Sequence, residues 1–224
     1  DLAVPAPGPE TDVLARIARR HQVRIALPIL ERHPDVVTNT VLLIDPQGVI
    51  DGRYDKVHLA VAGELHSGIL PGNSFPVYET EIGRIGCNIC MDSSVAESSR
   101  MVGLNGADFL VLPIMGDHRA NRFTPGTPVF NEGRWQAIMR TRSLDNQLCM
   151  VVARNEAWGS CIVDRKGEIL AWNEGDRNWI QADVQLDDDY RAANGGCFSE
   201  INWMQRRPHL YQRFTDEWNL GSLR

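Results

Sequence analysis

A thiol, an ammonium group and a carboxylate stand out among the 224 residues as groups able to do chemistry together. Cys90 closes an apolar run, Gly83 to Cys90, that reads as a mostly buried strand. Ser93 or Ser94 can cap a helix running from there to about Asn105. A cysteine between a strand end and a helix start feels the positive end of the helix dipole and unpaired backbone N–H groups. Both lower its pKa toward thiolate. The same amides can hold the oxyanion formed when that thiolate attacks a carbonyl. The position suits a small buried hydrophobe just as well, the state of most free cysteines. Lys56, in Tyr54-Asp55-Lys56-Val57-His58-Leu59, follows a strand end. Partly desolvated, it would stabilise a nearby thiolate and oxyanion; solvated, it is an ordinary surface lysine. Glu64, in Ala62-Gly63-Glu64-Leu65-His66, is by itself a loop carboxylate.

Other constellations are weaker. Cys87-Asn88-Ile89-Cys90 has the form of a redox pair or half a zinc site. On a strand, however, residues three apart point to opposite faces, so the two sulfurs diverge. Zinc would need a second close pair, and Cys149, Cys161 and Cys197 are isolated from one another. His58, His66 and His118 are candidates for a Cys–His dyad that the sequence alone cannot assemble. Glu97 and Arg100 lie three apart on the helix after Cys90 and suit an ion pair that seats it. The long loop from Ile114 to Phe130 carries Asp117, His118, Arg119 and Arg122, either lining a site or simply solvated.

The elements that must position these groups alternate in type. Thr11 is a candidate N-cap for a helix through Val13, Leu14, Ile17 and Ala18 that ends in Arg19, Arg20 and His21. Val23 to Leu27 reads as a strand closed by Pro28. Thr40 to Ile44 and Val49 to Tyr54 form a hairpin around Asp45-Pro46-Gln47-Gly48. Gly106 falls where a helix C-cap glycine belongs. Phe109 to Leu112 is a strand stopped by Pro113, and Asn131 to about Asp145 is a helix. Leu148 to Ala153 is a strand, and Cys161 to Val163 with Glu168 to Ala171 makes a second hairpin. Trp179 to Val184 is the last strand, and an irregular tail begins at about residue 185. Hairpins mixed with strand–helix–strand units imply an α/β fold with mixed sheets covered by helices. One domain over 1–224 is expected, with no repeat or linker.

Composition narrows the function classes. With 43% hydrophobic residues the chain can bury a full core, which excludes intrinsic disorder. A net charge of −6 argues against nucleic acid or an anionic membrane as partner. The densest apolar stretch, Ala107 to Met115, is too short to span a bilayer. Five scattered cysteines argue against a disulfide framework and for a reducing, cytoplasmic setting.

Three ordered segments together resemble the carbon–nitrogen hydrolase (nitrilase) superfamily. Gly52-Arg53-Tyr54-Asp55-Lys56-Val57-His58-Leu59 is similar to its catalytic-lysine segment. Gly83-Arg84-Ile85-Gly86-Cys87-Asn88-Ile89-Cys90-Met91-Asp92, with Glu97 seven residues after Cys90, resembles its nucleophile segment. Leu144-Asp145-Asn146-Gln147 through Ala153-Arg154-Asn155, then Gly159-Ser160-Cys161-Ile162-Val163-Asp164, resembles its late strand pair. The resemblance implies a four-layer αββα sandwich and a homo-oligomer. It also implies a reaction in which Cys90 attacks an amide or carbamoyl carbon, Lys56 with a backbone amide near Met91 holds the oxyanion, and Glu64 positions. Amine or ammonia leaves, and water hydrolyses the thioester. No metal or organic cofactor is implied. Met91, Met115, His118 and Arg122 are expected to bind substrate, Arg119 and Arg122 by receiving a carboxylate.

Two departures from the family pattern shape the expectation. The family's general-base glutamate lies on an early strand upstream of the lysine. Glu10 is the only candidate by order, but its Pro-Gly-rich lead-in resembles the family's segment after that glutamate. A strand–helix–strand unit is therefore expected to precede Asp1, and an omitted loop is expected within Asn155 to Gly159. True nitrilases have Trp and then Glu after the nucleophile; Met91 and Asp92 here favour amide or N-carbamoyl substrates over nitriles. A non-catalytic binding module is the alternative.

Overall fold

The computed structural model describes residues 2–60, 63–115, 131–155, 158–186 and 203–211. The chain divides into two compact units, Asp1–Asp188 and Asp189–Arg224. In the second, a 3₁₀ turn spans Pro208–Leu210, and the Arg207 N–H meets Tyr211 Oη at 3.4 Å. Every strand and α-helix among the described residues belongs to the first.

Helix α1 (Pro9–His21) opens the unit, with acidic residues in its first turn and Arg19, Arg20 and His21 in its last, as the helix dipole favours. Thr11 is not the N-cap. It sits three residues into the helix, where Oγ1 accepts the Gly8 N–H at 2.8 Å, so its capping chemistry is read correctly but shifted in position. Next come β1 (Ile25–Arg32), β2 (Val37–Ile44) and β3 (Ile50–Asp55), an antiparallel sheet with β2 central. The short β4 (Ile69–Leu70) pairs parallel with the start of β2. Pro28 does not end β1. The carbonyl of Leu30 and the N–H of Arg32 face away from β2, toward Val4, so Pro28, in step with them, points its missing donor outward as well.

The second sheet has the order β10-β9-β8-β7-β6-β5. Its strands are β5 (Val77–Thr80), β6 (Gly83–Cys87), β7 (Phe109–Ile114), β8 (Cys149–Arg154), β9 (Cys161–Val163) and β10 (Ile169–Trp172). β6, β7 and β8 run parallel, joined by α2 (Ala96–Leu104) and α3 (Glu132–Asn146); the outer pairs are antiparallel. The sheet is therefore mixed, as expected. Pro113 lies inside β7 rather than after it. Val111 accepts the Asn88 N–H through its carbonyl, so Pro113, two residues on, faces the same side, where the chain has already turned away from β6.

The two hairpins expected from the sequence, β2–β3 and β9–β10, share one device. Asp45 Oδ1 accepts the N–H groups of Gln47 and Val49, and Asp164 Oδ1 those of Lys166 and Glu168. Gly48 and Gly167 take the left-handed position at φ 77° in each. Two further differences from the expected layout appear. The β5–β6 hairpin goes unread because Val77-Tyr78-Glu79-Thr80 is a four-residue run. Trp179 to Val184 forms no strand: Ile180, Ala182 and Val184 turn partly inward in alternation, but the segment lacks a ladder partner among the described residues, and Trp179 is 69% exposed.

Period-two alternation sets the layers. Val41, Leu43 and Tyr54 of the first sheet meet Ile85, Cys87 and Ile89 of the second in one buried cluster, so the sheets stack face to face. The other face of the second sheet presents Leu110, Leu112, Met150 and Val152 to Val102 of α2 and Met139 of α3. Burying side chains of this size contributes about 1.5–3 kcal/mol each. On the outer face of the first sheet, α1 buries Ala18 and brings its Ala15 carbonyl against Gly48. The result is a four-layer αββα sandwich.

Gly86 lets α2 approach the strand that leads to Cys90. A Cβ at Gly86 would drive into the Val102 side chain. Gly86→Ala is expected to cost about 1–3 kcal/mol through overpacking, read as a lower urea midpoint. An unchanged midpoint would mean that this contact does not fix the helix.

Candidate active site

Strand β3 delivers the lysine. Tyr54 and Lys56 are two residues apart, so both side chains point between the sheets. The Lys56 N–H donates to the Asn39 carbonyl at 2.8 Å, and its carbonyl accepts the Gly72 N–H at 2.8 Å. The Lys56 side chain is only 1% exposed, and an ammonium so deeply buried needs a partner. Glu64 supplies it, with Nζ to Oε2 at 2.6 Å. The same oxygen accepts the Ala60 N–H at 2.6 Å, and Oε1 accepts Asn39 Nδ2 at 2.5 Å. Burial alone would raise the Glu64 pKa. The hydrogen bonds from Ala60, Lys56 and Asn39 outweigh it and hold the carboxyl below the ordinary glutamate value.

The thiol arrives from the second sheet. After β6 the chain breaks at Asn88, and Cys90 begins a 3₁₀ turn, Cys90–Ser94, with φ 47°. Left-handed backbone at a non-glycine residue is uncommon and concentrates at functional sites. Ser93 Oγ donates to the Cys90 carbonyl at 2.7 Å rather than capping a helix, and α2 starts only at Ala96.

The electrostatics correct the expected thiolate. Burial raises the Cys90 pKa, and Glu64 pushes the same way. Lys56 and the backbone N–H groups of Met115 and Met91, which hydrogen-bond the sulfur, oppose without prevailing. The 3₁₀ turn is too short to supply the dipole of a full helix. Iodoacetamide labelling of Cys90 is therefore expected to rise with pH to a midpoint above 9.0, because the thiol form persists past the ordinary cysteine value. Labelling already at a plateau by about pH 8 would contradict this.

The structure thus brings Cys90, Lys56 and Glu64 together, with Met91 and Met115 presenting N–H groups at the thiol. His118 and Arg122, like Asp117 and Arg119, lie outside the described residues. His66 sits in an exposed 3₁₀ turn, Leu65–Ser67. Arg100 donates to the Asp145 carbonyl at 2.6 Å, tying α2 to α3. Cys87 is buried between the sheets, its thiol pushed up to about 12 by burial. Among the described residues no three His, Cys, Asp or Glu side chains converge as a metal set, and no helix is long and apolar enough to cross a membrane.

Two features escape a reading by sequence. Asn39 points inward from β2 to hold Glu64; its only signal is a polar residue in step with Val41 and Leu43. The second is a buried network around Asp92. Its Oδ2 accepts Tyr54 Oη at 2.7 Å and the Ile89 N–H at 2.8 Å. Its Oδ1 accepts the His58 N–H at 3.0 Å and meets His58 Nδ1 at 2.8 Å.

Comparison with known proteins gives this geometry its context. The carbon–nitrogen hydrolase family model matches residues 1–194. The omega-amidase NIT2 of Xenopus tropicalis is 30% identical over 204 residues, covering 84% of this chain and 70% of that protein. The deaminated glutathione amidase of Yersinia enterocolitica is 28% identical over 188 residues, and the match covers 74% of this chain and 62% of that protein. Among solved structures, a carbon–nitrogen hydrolase from Helicobacter pylori G27 superposes with a TM-score of 0.75 at 20% identity, over 93% of this chain and 76% of that one. A mutant of the amidase from Nesterenkonia sp. AN1, carrying acrylamide added at its active-site cysteine, superposes with a TM-score of 0.70 at 19% identity, over 91% and 74%. The chain belongs to the carbon–nitrogen hydrolase family, and its similarity to amidases makes it an amide-hydrolysing enzyme.

Proposed function

We propose that Cys90 is the nucleophile that attacks the carbonyl carbon of a small amide or N-carbamoyl substrate, with Lys56 and the N–H groups at Met91 and Met115 receiving the oxyanion. The observation that carries this reading is a buried Lys56–Glu64 pair acting on a thiol held in left-handed backbone. Because burial raises the Cys90 pKa above the ordinary cysteine value, attack calls for transfer of the thiol proton to a base, the role that the resemblance gives to a glutamate upstream of Lys56. Glu64 is ill suited to it: three donors engage its oxygens and its pKa is low, so it fixes the ammonium instead. Collapse of the tetrahedral intermediate expels amine or ammonia and leaves an acyl group on Cys90, a thioester from an amide or a thiocarbamate from an N-carbamoyl compound, which water hydrolyses to the carboxylic or carbamic acid.

His118 and Arg122 complete the substrate contacts in this proposal, Arg122 by pairing with a carboxylate. The free thiols of Cys87, Cys90, Cys149 and Cys161 suit a reducing compartment, which supports a cytoplasmic setting. A homo-oligomeric state is implied by the resemblance and is tested by sedimentation. The test of function is a panel of simple amides, N-carbamoyl amino acids and nitriles, run beside Cys90→Ala. Turnover of amides or carbamoyl compounds that vanishes in the variant is the expected result. Turnover of nitriles alone, or turnover that survives the substitution, overturns the assignment.

A further inference from the structure

We propose that Asp92 is a positioning residue, clamping the turn that carries Cys90 to the strand end that carries Lys56. The clamp has two arms. Toward the lysine, Asp92 binds Tyr54 Oη and both the N–H and Nδ1 of His58, the residues two before and two after Lys56. Toward the thiol, it accepts the Ile89 N–H through its side chain and donates its own N–H to the Ile89 carbonyl at 3.0 Å, closing a loop around Cys90.

The arrangement answers two physical questions. The Asp92 side chain is 0% exposed, and a carboxylate in such a place is tolerated only when its lone pairs are engaged. Here four donors engage them. Cys90 at φ 47° likewise persists only where its surroundings over-determine it, and the paired bonds between Ile89 and Asp92 do so. The donors are themselves held. Tyr54 and His58 both pack against Phe75, with ring centroids 6.2 Å away in each case. Val57 donates its N–H to Tyr54 Oη at 3.3 Å, so the phenol closes the network on the lysine side. An apolar residue could fill the space of Asp92, but it could not tie two sheets together at the point where their functional groups meet.

The proposal rests on the reading of Cys90 and Lys56 as the reacting pair, and its test separates the two. His58 is 31% exposed, so it can be changed with less damage than Asp92. In His58→Asn the side-chain amide can replace the Nδ1 donor; in His58→Ala nothing can. The full-length wild type, both His58 variants and Asp92→Asn are compared for amide hydrolysis, for the rate of Cys90 alkylation by iodoacetamide, and for melting temperature. Asp92→Asn and His58→Ala are expected to lower kcat about 10–100-fold, as small misplacements of reacting groups do, with KM held within about threefold. His58→Asn should recover most of the loss, and Cys90 alkylation should slow in the same order as the thiol moves away from Lys56.

The clamp is overturned if His58→Asn is no better than His58→Ala, or if folded Asp92→Asn keeps both kcat and alkylation near wild type. If Asp92→Asn does not fold, the His58 pair decides. A wild-type protein that hydrolyses no amide defeats the functional reading alone; the alkylation series then decides the clamp by itself.

Discussion

Lys56→Met should lower kcat for an amide substrate by about 10²–10³-fold, the usual effect of removing an oxyanion donor. The substitution also leaves Glu64 buried without its cation, at an expected stability cost of about 2–4 kcal/mol, since the bonds from Ala60 and Asn39 remain. The pH dependence has a definite sign. With Lys56 present, Glu64 titrates below 4.5, so its ionisation stabilises the fold above that pH. Without Lys56, burial is less opposed and the carboxyl titrates higher. The stability deficit should therefore shrink as acid neutralises Glu64. Denaturant midpoints of both proteins across acid to neutral pH check this, and a deficit that grows on acidification would contradict it. Lys56→Arg offers no rescue, because a guanidinium does not fit a slot with 1% exposure.

Cys90→Ala should abolish turnover, a loss of at least about 10⁴-fold, because neither a thioester nor any other covalent intermediate can form there. The fold should tolerate it. Alanine keeps the same backbone cost at φ 47°, and the turn is held by Ile89, Asp92 and Ser93 rather than by the thiol. The expected pattern is a melting temperature near wild type with no detectable acid product. A variant that unfolds would show that the sulfur is structural. Persistent turnover would place the nucleophile elsewhere.

The sequence was most legible where local chemistry decides structure. The Asp-x-x-Gly turns announce the β2–β3 and β9–β10 hairpins, and the apolar run before Cys90 announces a strand because β6 is buried between layers. It was least legible where tertiary context overrides a local signal. Pro28 and Pro113 read as stops, yet each sits in a strand on the side that needs no donor, a fact visible only once the neighbours are known. Trp179 to Val184 has strand alternation but no ladder partner among the described residues. At the site, Lys56, Glu64 and Cys90 were found by type, order and resemblance. The thiolate was misjudged because burial, not proximity to amides, dominates the thiol. The Asn39–Glu64 bond and the engagement of Asp92 by Tyr54 and His58 escaped, since no spacing rule joins residues 25, 34 or 38 positions apart.

The most direct test of the mechanism is to quench the protein during turnover of an amide substrate, digest it and map the acyl group by mass. The account predicts an adduct equal to the substrate acyl group less one hydrogen, carried on Cys90 and released by water. An adduct on any other side chain, or sustained turnover with Cys90 never modified, would contradict it.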